Sequence, residues 1–327
     1  MLISQNNSSH LALFHLPGLF EFYELYKVFL PLFYKQREYF YDFCDIGSIY
    51  GAPGDCLWGG GRVGFGDADP RDVLDLMKEY NISARLTFSN SLLRQEHLSD
   101  KKCNRLLELF CSNDSSIINN QSALLSDIGG ANNAKNGIII YSDLLLDYIK
   151  KNYPEYYFVS STTKVITDFD KFIKELDREE YSYVVADFRL NKRIDSLIGL
   201  TTSQKDKVEF LCNECCNIAC TDRKACYESV SRKSLSEDMD GYEEHVCKSK
   251  DAKEGYVFSK AMQNPAFIGI DDIKNTYLPM GFTNFKIEGR SLGSAVVLEF
   301  LLYYLTKPEY QLNVREKIYL DSSLDLF

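Results

Sequence analysis

The chain has 327 residues, of which 45% are hydrophobic and 26% charged, a composition near the globular average that excludes disorder and collagen-like or mucin-like repeats. Its formal net charge of −10 argues against the phosphate backbone of nucleic acid as a partner. Met1 to His10 has no basic start, and no apolar run reaches the roughly 20 residues of a membrane span, so a soluble cytoplasmic protein is expected.

Short β-branched or aromatic runs alternate with longer amphipathic stretches, which is the rhythm of βα units. Leu11 to Phe20 reads as a first strand, followed by an aromatic helix from about Glu21 to Tyr41 in which Pro31 introduces a kink. Tyr and Phe at nearly every turn suit a core face or an interface, with a second copy or with another chain, better than a stacking groove. Asp45 to Tyr50 is a second strand, and the Gly-rich stretch Gly51 to Gly66 a loop. Pro70 to Tyr80 is a helix, with Asp69 as N-cap and Pro70 at its first position. Strand Ala84 to Phe88, helix Asp100 to Phe110 and a Ser-, Asn- and Gly-rich surface loop from Ser112 to Lys135 come next. Strand Ile138 to Tyr141 leads through the N-cap Ser142 into helix Asp143 to Lys151. Tyr157 to Ser160, Tyr183 to Ala186 and Val208 to Leu211 are further strands, with helices near Asp168 to Asp177 and Asn191 to Ile198. Phe285 to Ile287 and Ser291 to Leu305 close the series as strand and helix. Eight strands with intervening helices predict an α/β fold, a single-domain (β/α)8 TIM-like barrel over residues 1–327 with a Cys-rich insertion, 212–247, before the last strand. By counting, a doubly wound sheet fits nearly as well.

In a barrel the residues just after each strand build the catalytic face. Asn90, then Ser161, Thr162, Thr163 and Lys164, then Asp187 and Arg189, then Asn213 and Glu214, then Glu288 and Arg290 occupy such positions. Polar strand ends are common, so the recurrence over several strands carries the expectation.

Of ten cysteines, Cys44, Cys56, Cys103 and Cys111 are scattered and six lie between Cys212 and Cys247. Such clustering favours a soft metal over disulfides. Cys216, Cys220, Cys226 and Cys247 supply four thiols in the spacing C-x3-C-x5-C-x20-C, with Cys212 and Cys215 as spares. That spacing matches neither a zinc ribbon nor a ferredoxin run, and buried, inert thiols are the alternative. The Gly-rich loop lacks the order of a phosphate cradle and reads as a lid. Its Trp58 either covers a substrate or anchors the loop, and Arg62 is an anion contact or a surface charge. His10, His15, His97 and His245 form no zincin motif and no triad. His15 ends strand one and faces the barrel, where a satisfied core histidine is the simpler reading, while His245 is a substitute metal ligand.

The stretch GFTNFKIEGRSLGSAVVLEFLLYYL, Gly281 to Leu305, places the carboxylate of Glu288 and the guanidinium of Arg290 at a strand's carboxyl end. There Arg290 is suited to a substrate carboxylate, or the two residues brace the barrel mouth as an ion pair. FKIEGR followed by a small-residue helix and a tyrosine pair resembles the signature of the peptidase U32 family, in which KIEGR ends a barrel strand. The likeness is best in the carboxyl-terminal half. The family includes proteins labelled collagenase-like peptidases and oxygen-independent hydroxylases of RNA or quinone precursors that hold a [4Fe-4S] cluster on four cysteines. The resemblance implies that Cys216, Cys220 and Cys247, with Cys226 as the fourth, hold such a cluster and that a small molecule or peptide is modified by hydroxylation or a related redox step. In that reading Lys164, Asp187 and Glu288 are the catalytic candidates, and Asn90, Thr162, Asn213, Glu214 and Arg290 meet the substrate. Two alternatives use the same cysteines: a zinc-dependent peptidase or other hydrolase, and a non-catalytic binding subunit with a structural metal.

Overall fold

Eight short strands close into a parallel barrel in the order of the sequence: β1 (Ala12–Pro17), β2 (Cys44–Gly51), β3 (Ser83–Phe88), β4 (Gly137–Ile140), β5 (Tyr157–Ser160), β6 (Tyr181–Val185), β7 (Val208–Leu211) and β8 (Asn284–Lys286). β8 pairs with both β7 and β1, so the ring has no free edge and the doubly wound alternative is excluded. The computed structural model describes residues 11–60, 68–111, 134–235, 245–249, 256–289 and 292–324. The connections carry α1 (Tyr23–Lys35), α2 (Pro70–Glu79), α3 (Lys101–Cys111), α4 (Asp143–Asn152), α5 (Phe169–Leu176), α6 (Ile194–Ile198) and α7 (Thr202–Lys207). Beyond β7 come α8 (Arg223–Leu235), α9 (Phe258–Gln263) and α10 (Ile270–Asp272), and after β8 α11 (Ser294–Leu305) and α12 (Gln311–Leu324).

Local chemistry sets the element ends. Asp69 accepts from the Arg71 amide to cap α2, with Pro70 at its first turn, and Ser142 caps α4 by accepting from the Leu145 amide. α1 accommodates Pro31 and stops at Lys35, short of the expected Tyr41, because Arg37–Tyr39 turns as a 3-10 segment. Its aromatic side chains are core: Phe29 and Phe33 are fully buried and pack on Phe40, each contributing about 1.5–3 kcal/mol by burial. α8 was not legible in the cysteine segment because RKACYESVSRKSL has no apolar stripe at helical spacing. Residues 61–67 of the glycine-rich loop, with Arg62, and 112–133 of the serine-rich loop lie outside the described residues. No helix among the described residues is long and apolar enough to cross a membrane.

Alternation along each strand sends Phe14, Leu86, Ile138, Val184, Phe210 and Phe285 outward into the layer under the helices. The inward set is different in kind. Beyond an apolar layer of Tyr50, Ile139, Val159, Val185 and Leu211, it includes the buried polar side chains His15, Arg85, Glu209 and Lys286. Two glycines make room for this inner layer. A Cβ on Gly47 would sit 2.8 Å from His15 Cε1, and one on Gly137 would sit 2.5 Å from the Tyr157 ring. At the same place the β1–β2 register skips from Ile46 to Ser48, which lets His15 face inward opposite Ser48.

Gly47→Ala is therefore expected to lower stability by about 1–3 kcal/mol through overpacking against His15. Gly199→Ala, whose new methyl would meet only Ser196 O at 3.4 Å, is expected to stay within about 0.5 kcal/mol. Chemical denaturation of both variants measures the difference.

Candidate functional site

The barrel interior holds a closed charge cluster. Glu209 on β7 is fully buried; its Oε2 accepts from Arg85 Nη1 at 2.5 Å and its Oε1 from Lys286 Nζ at 3.3 Å. Arg85 also donates Nε–H to Tyr157 Oη at 2.7 Å and stacks on Tyr183, 4.6 Å from the ring centroid. Lys286 Nζ lies 3.5 Å from the centre of the Tyr50 ring, whose hydroxyl donates to Ile287 O at 2.7 Å. His15 Nε2 faces Asn284 Oδ1 at 3.3 Å, an acceptor, so this nitrogen carries the hydrogen and Nδ1 accepts from Ser48 Oγ at 2.8 Å. His15 Nε2 is also 3.6 Å from Glu209 Oε2.

These contacts set the charge states. Burial alone would push the Glu209 carboxyl up, but His15, Arg85 and Lys286 outweigh it and hold the group well below the usual carboxylate range. Burial, and next the Arg85 guanidinium, bring His15 down to about 3, so it is neutral. Burial lowers Lys286 to about 8, with Glu209 opposing.

Above this floor, the carboxyl ends of β6, β7 and β8 carry a second network. Asp187 grips Arg189 with both oxygens, at 2.6 Å to Nε and 2.8 Å to Nη2, and lies 4.0 Å from Arg223 Nε. Arg223, at the start of α8, is 5% exposed and donates Nη2–H to Glu214 Oε2 at 2.6 Å. Its guanidinium lies over Phe188 and Tyr227, 4.8 and 5.1 Å from the ring centroids. Glu214 Oε1 accepts from the Cys216 amide at 3.0 Å, and Arg189 Nη1 donates to Cys220 O at 2.8 Å. The network thus ends on the cysteine segment. Asn213 splices β7 to β8 beyond their last backbone pair: its Oδ1 accepts from the Glu288 amide at 2.7 Å and its Nδ2 donates to Glu288 O at 2.9 Å. Tyr256 Oη closes this corner by donating to Asn213 O at 2.7 Å.

Of the sequence-predicted residues, Asp187, Asn213, Glu214 and Glu288 come together at this rim. Asn90 is buried and donates Nδ2–H to Leu57 O and Ser234 Oγ, both at 2.9 Å, tying the loop after β3 to α8. Thr162 reaches Ala186 O at 3.5 Å, beside the end of β6. Lys164 is placed apart, with Nζ donating to Glu175 Oε1 at 2.6 Å and Tyr181 Oη at 2.8 Å, so it braces β5 and β6 against α5. Arg290 lies outside the described residues. Trp58 anchors its loop: it is fully buried and donates to His97 O at 2.8 Å.

Cys216 and Cys220 flank the guanidiniums of Arg223 and Arg189. Burial pushes the Cys216 thiol up to about 11, with Arg223 pulling the other way, and Cys215 up to about 12. Residues 245–249 meet the α8 region, with the His245 amide on Ser229 Oγ at 3.0 Å and Lys248 Nζ on Asp222 Oδ2 at 3.0 Å. Cys226 and Cys247 are exposed, whereas Cys212 is a core thiol donating to Phe210 O. Among the described residues no group of three or more His, Cys, Asp and Glu is gathered about one point as a metal site would be.

Sequence reasoning missed Arg85, Glu209, Lys286 and Arg223. The first three had a signal: each is a single charge in a strand flanked by outward apolar residues, as in RLTF, VEFL and FKI. Arg223 sits in a polar run, with nothing to separate it from a surface arginine.

No family model matches the sequence, and no curated protein matches it. Among solved structures the chain is similar to the U32 peptidase Mk0906, with 11% identity over 88% of this chain and 97% of that one and a TM-score of 0.46.

The neutral, buried His15 gives a signed pH dependence. Its ordinary value is 6.5 and its folded value about 3, so between these the unfolded chain binds more protons and acid destabilises the fold. Above pH 4.5, the ordinary value for Glu209, the His15 contribution is separate from that of the carboxylate. Between pH 6.5 and 4.5 stability is expected to fall by up to about 1.4 kcal/mol per pH unit. His15→Gln is expected to flatten that slope in denaturation midpoints measured across the range.

Proposed function

We propose that the chain is an enzyme of U32-like barrel type that acts at the carboxyl-terminal mouth on a small molecule or peptide, with Cys216, Cys220, Cys226 and Cys247 holding a [4Fe-4S] cluster at the rim. The observation that carries this reading is the chain from Asp187, 4.0 Å from Arg223, through Arg223 and Glu214 to the Cys216 amide. It joins the strand ends, where barrels hold substrates, to the thiols. KIEGR at the end of β8 supports the same placement, since its Glu288 is splinted to β7 by Asn213.

The donor set fits a soft metal in chemistry, since four thiols are available, although among the described residues they are not gathered about one point. Cys216 and Cys220, ahead of α8, are half-buried, and Cys226 and Cys247 are exposed. Loading requires these thiols to lose protons and turn toward a common centre. When bound, an iron–sulfur cluster supplies one-electron transfer for an oxygen-independent hydroxylation or related redox step. Arg223 has the role of favouring the Cys216 thiolate, and Phe188 and Tyr227 keep its guanidinium in place. Asp187 and Glu214 balance the charge of Arg189 and Arg223, which leaves Glu288 as the further carboxylate of the described rim. Glu288, just beyond the last strand, has the role of holding or moving a proton on a bound substrate.

Anaerobically purified protein is expected to be brown and to contain iron and sulfide in similar amounts, about four of each per chain. Cys216→Ser and Cys247→Ser should each lose most of that iron, while Cys212→Ser, a core position, should keep it if the protein folds. A colourless protein with one zinc per chain would transfer the thiols to the hydrolytic or structural reading, and one that takes up neither metal would end the proposal.

A further inference from the structure

We infer that the floor of the barrel mouth, where Lys286 and Thr87 face inward beside Tyr50, Ile139, Val185 and Leu211, is the subsite for the carboxylate of a small organic acid. The inference names a substrate class for the mouth described above and rests on that reading.

The first ground is charge. Arg85 and Lys286 are cations and Glu209 is the anion between them, while His15 is neutral, so the buried cluster carries one surplus positive charge. A sealed ion without its counter-charge is costly, and a single surplus charge matches a monoanion. Glu288, two residues beyond Lys286 and half-buried at the rim, also favours the Lys286 ammonium, but less than Glu209 does.

The second ground is unused hydrogen-bonding capacity. Glu209 gives its short contact, at 2.5 Å, to Arg85 and only the longer one, at 3.3 Å, to Lys286. The Tyr50 ring covers another side of the ammonium without accepting a conventional hydrogen bond. Of the three N–H groups of Lys286, one faces Glu209 and one the Tyr50 ring, which leaves one for an incoming acceptor. On β3, Thr87 is 5% exposed and its Oγ1 is buried with no hydrogen-bond partner. Orphaned hydroxyls in protein interiors are uncommon. One carboxylate has two oxygens, one for the ammonium and one for the Thr87 hydroxyl.

The third ground is the wall. Ile139, Val159, Val185 and Leu211 form an apolar layer at the level of Tyr50. An acid with a short aliphatic or aromatic body fits such a wall, whereas a strongly hydrated dianion is disfavoured there.

The test is calorimetric titration of the metal-loaded protein near pH 7 with acetate, butyrate and benzoate, against acetamide, butyramide and benzamide. Butyrate or benzoate is expected to bind at least about tenfold more tightly than its amide, which has the same shape without the charge. Thr87→Val, which leaves the charge cluster intact, is expected to weaken the carboxylate several-fold, and Lys286→Met to abolish its advantage over the amide. If Lys286→Met fails to fold, the Thr87→Val comparison decides alone. Equal affinity for acid and amide, or a carboxylate affinity unchanged in Thr87→Val, would overturn the subsite. Iron content is read on the same samples. Lost carboxylate binding with iron retained removes this subsite alone, and carboxylate binding in a protein that takes up no iron removes the cluster and leaves the subsite.

Discussion

The carboxylate of Glu209 is the interaction around which the barrel interior is organised. It is fully buried and meets Arg85 from β3, Lys286 from β8 and His15 from β1, so one side chain links strands on different sides of the ring. Taking so many ionisable groups out of water is expensive, and a filling of branched aliphatics would close the same barrel. What the cluster adds is shape and charge. Tyr157 and Tyr183 are drawn in around Arg85, and Gly47 and Gly137 are required so that His15 and Tyr157 fit.

The rim follows from that floor. β7 and β8 bring Glu209 and Lys286 into contact, and the same pair of strands is prolonged upward by the Asn213 splint to Glu288. From there Glu214 reaches Arg223, and Arg223 reaches back toward Asp187 on the neighbouring strand end. The result is an interior of buried charged and apolar layers under a polar rim that adjoins Cys216 and Cys220. Polar groups held this way have little freedom to change position.

Much of this was legible from residue order. The strands announced themselves as short apolar runs, and the caps at Asp69 and Ser142 sit where the sequence put them. Asp187, Asn213, Glu214 and Glu288 come together because the carboxyl ends of neighbouring barrel strands share one rim. Lys164 also follows a strand end, but its long side chain turned outward to Glu175 and Tyr181, a choice set by tertiary neighbours. The inner cluster is not legible in the sequence because a lone charge inside a strand is ordinarily an exposed one. Only closure of the sheet into a ring makes that face an interior. α8 was hidden for a related reason: its buried residues, Arg223, Ser229 and Ser231, are polar.

The dependence of the fold on Glu209 is measured most directly by equilibrium denaturation of Glu209→Gln at neutral pH, where shape is conserved and the charge is lost. With Arg85 and Lys286 left buried without their counter-ion, a loss of about 3–5 kcal/mol is expected. A change within about 0.5 kcal/mol, the range of an ordinary surface substitution, would contradict a barrel organised on that carboxylate.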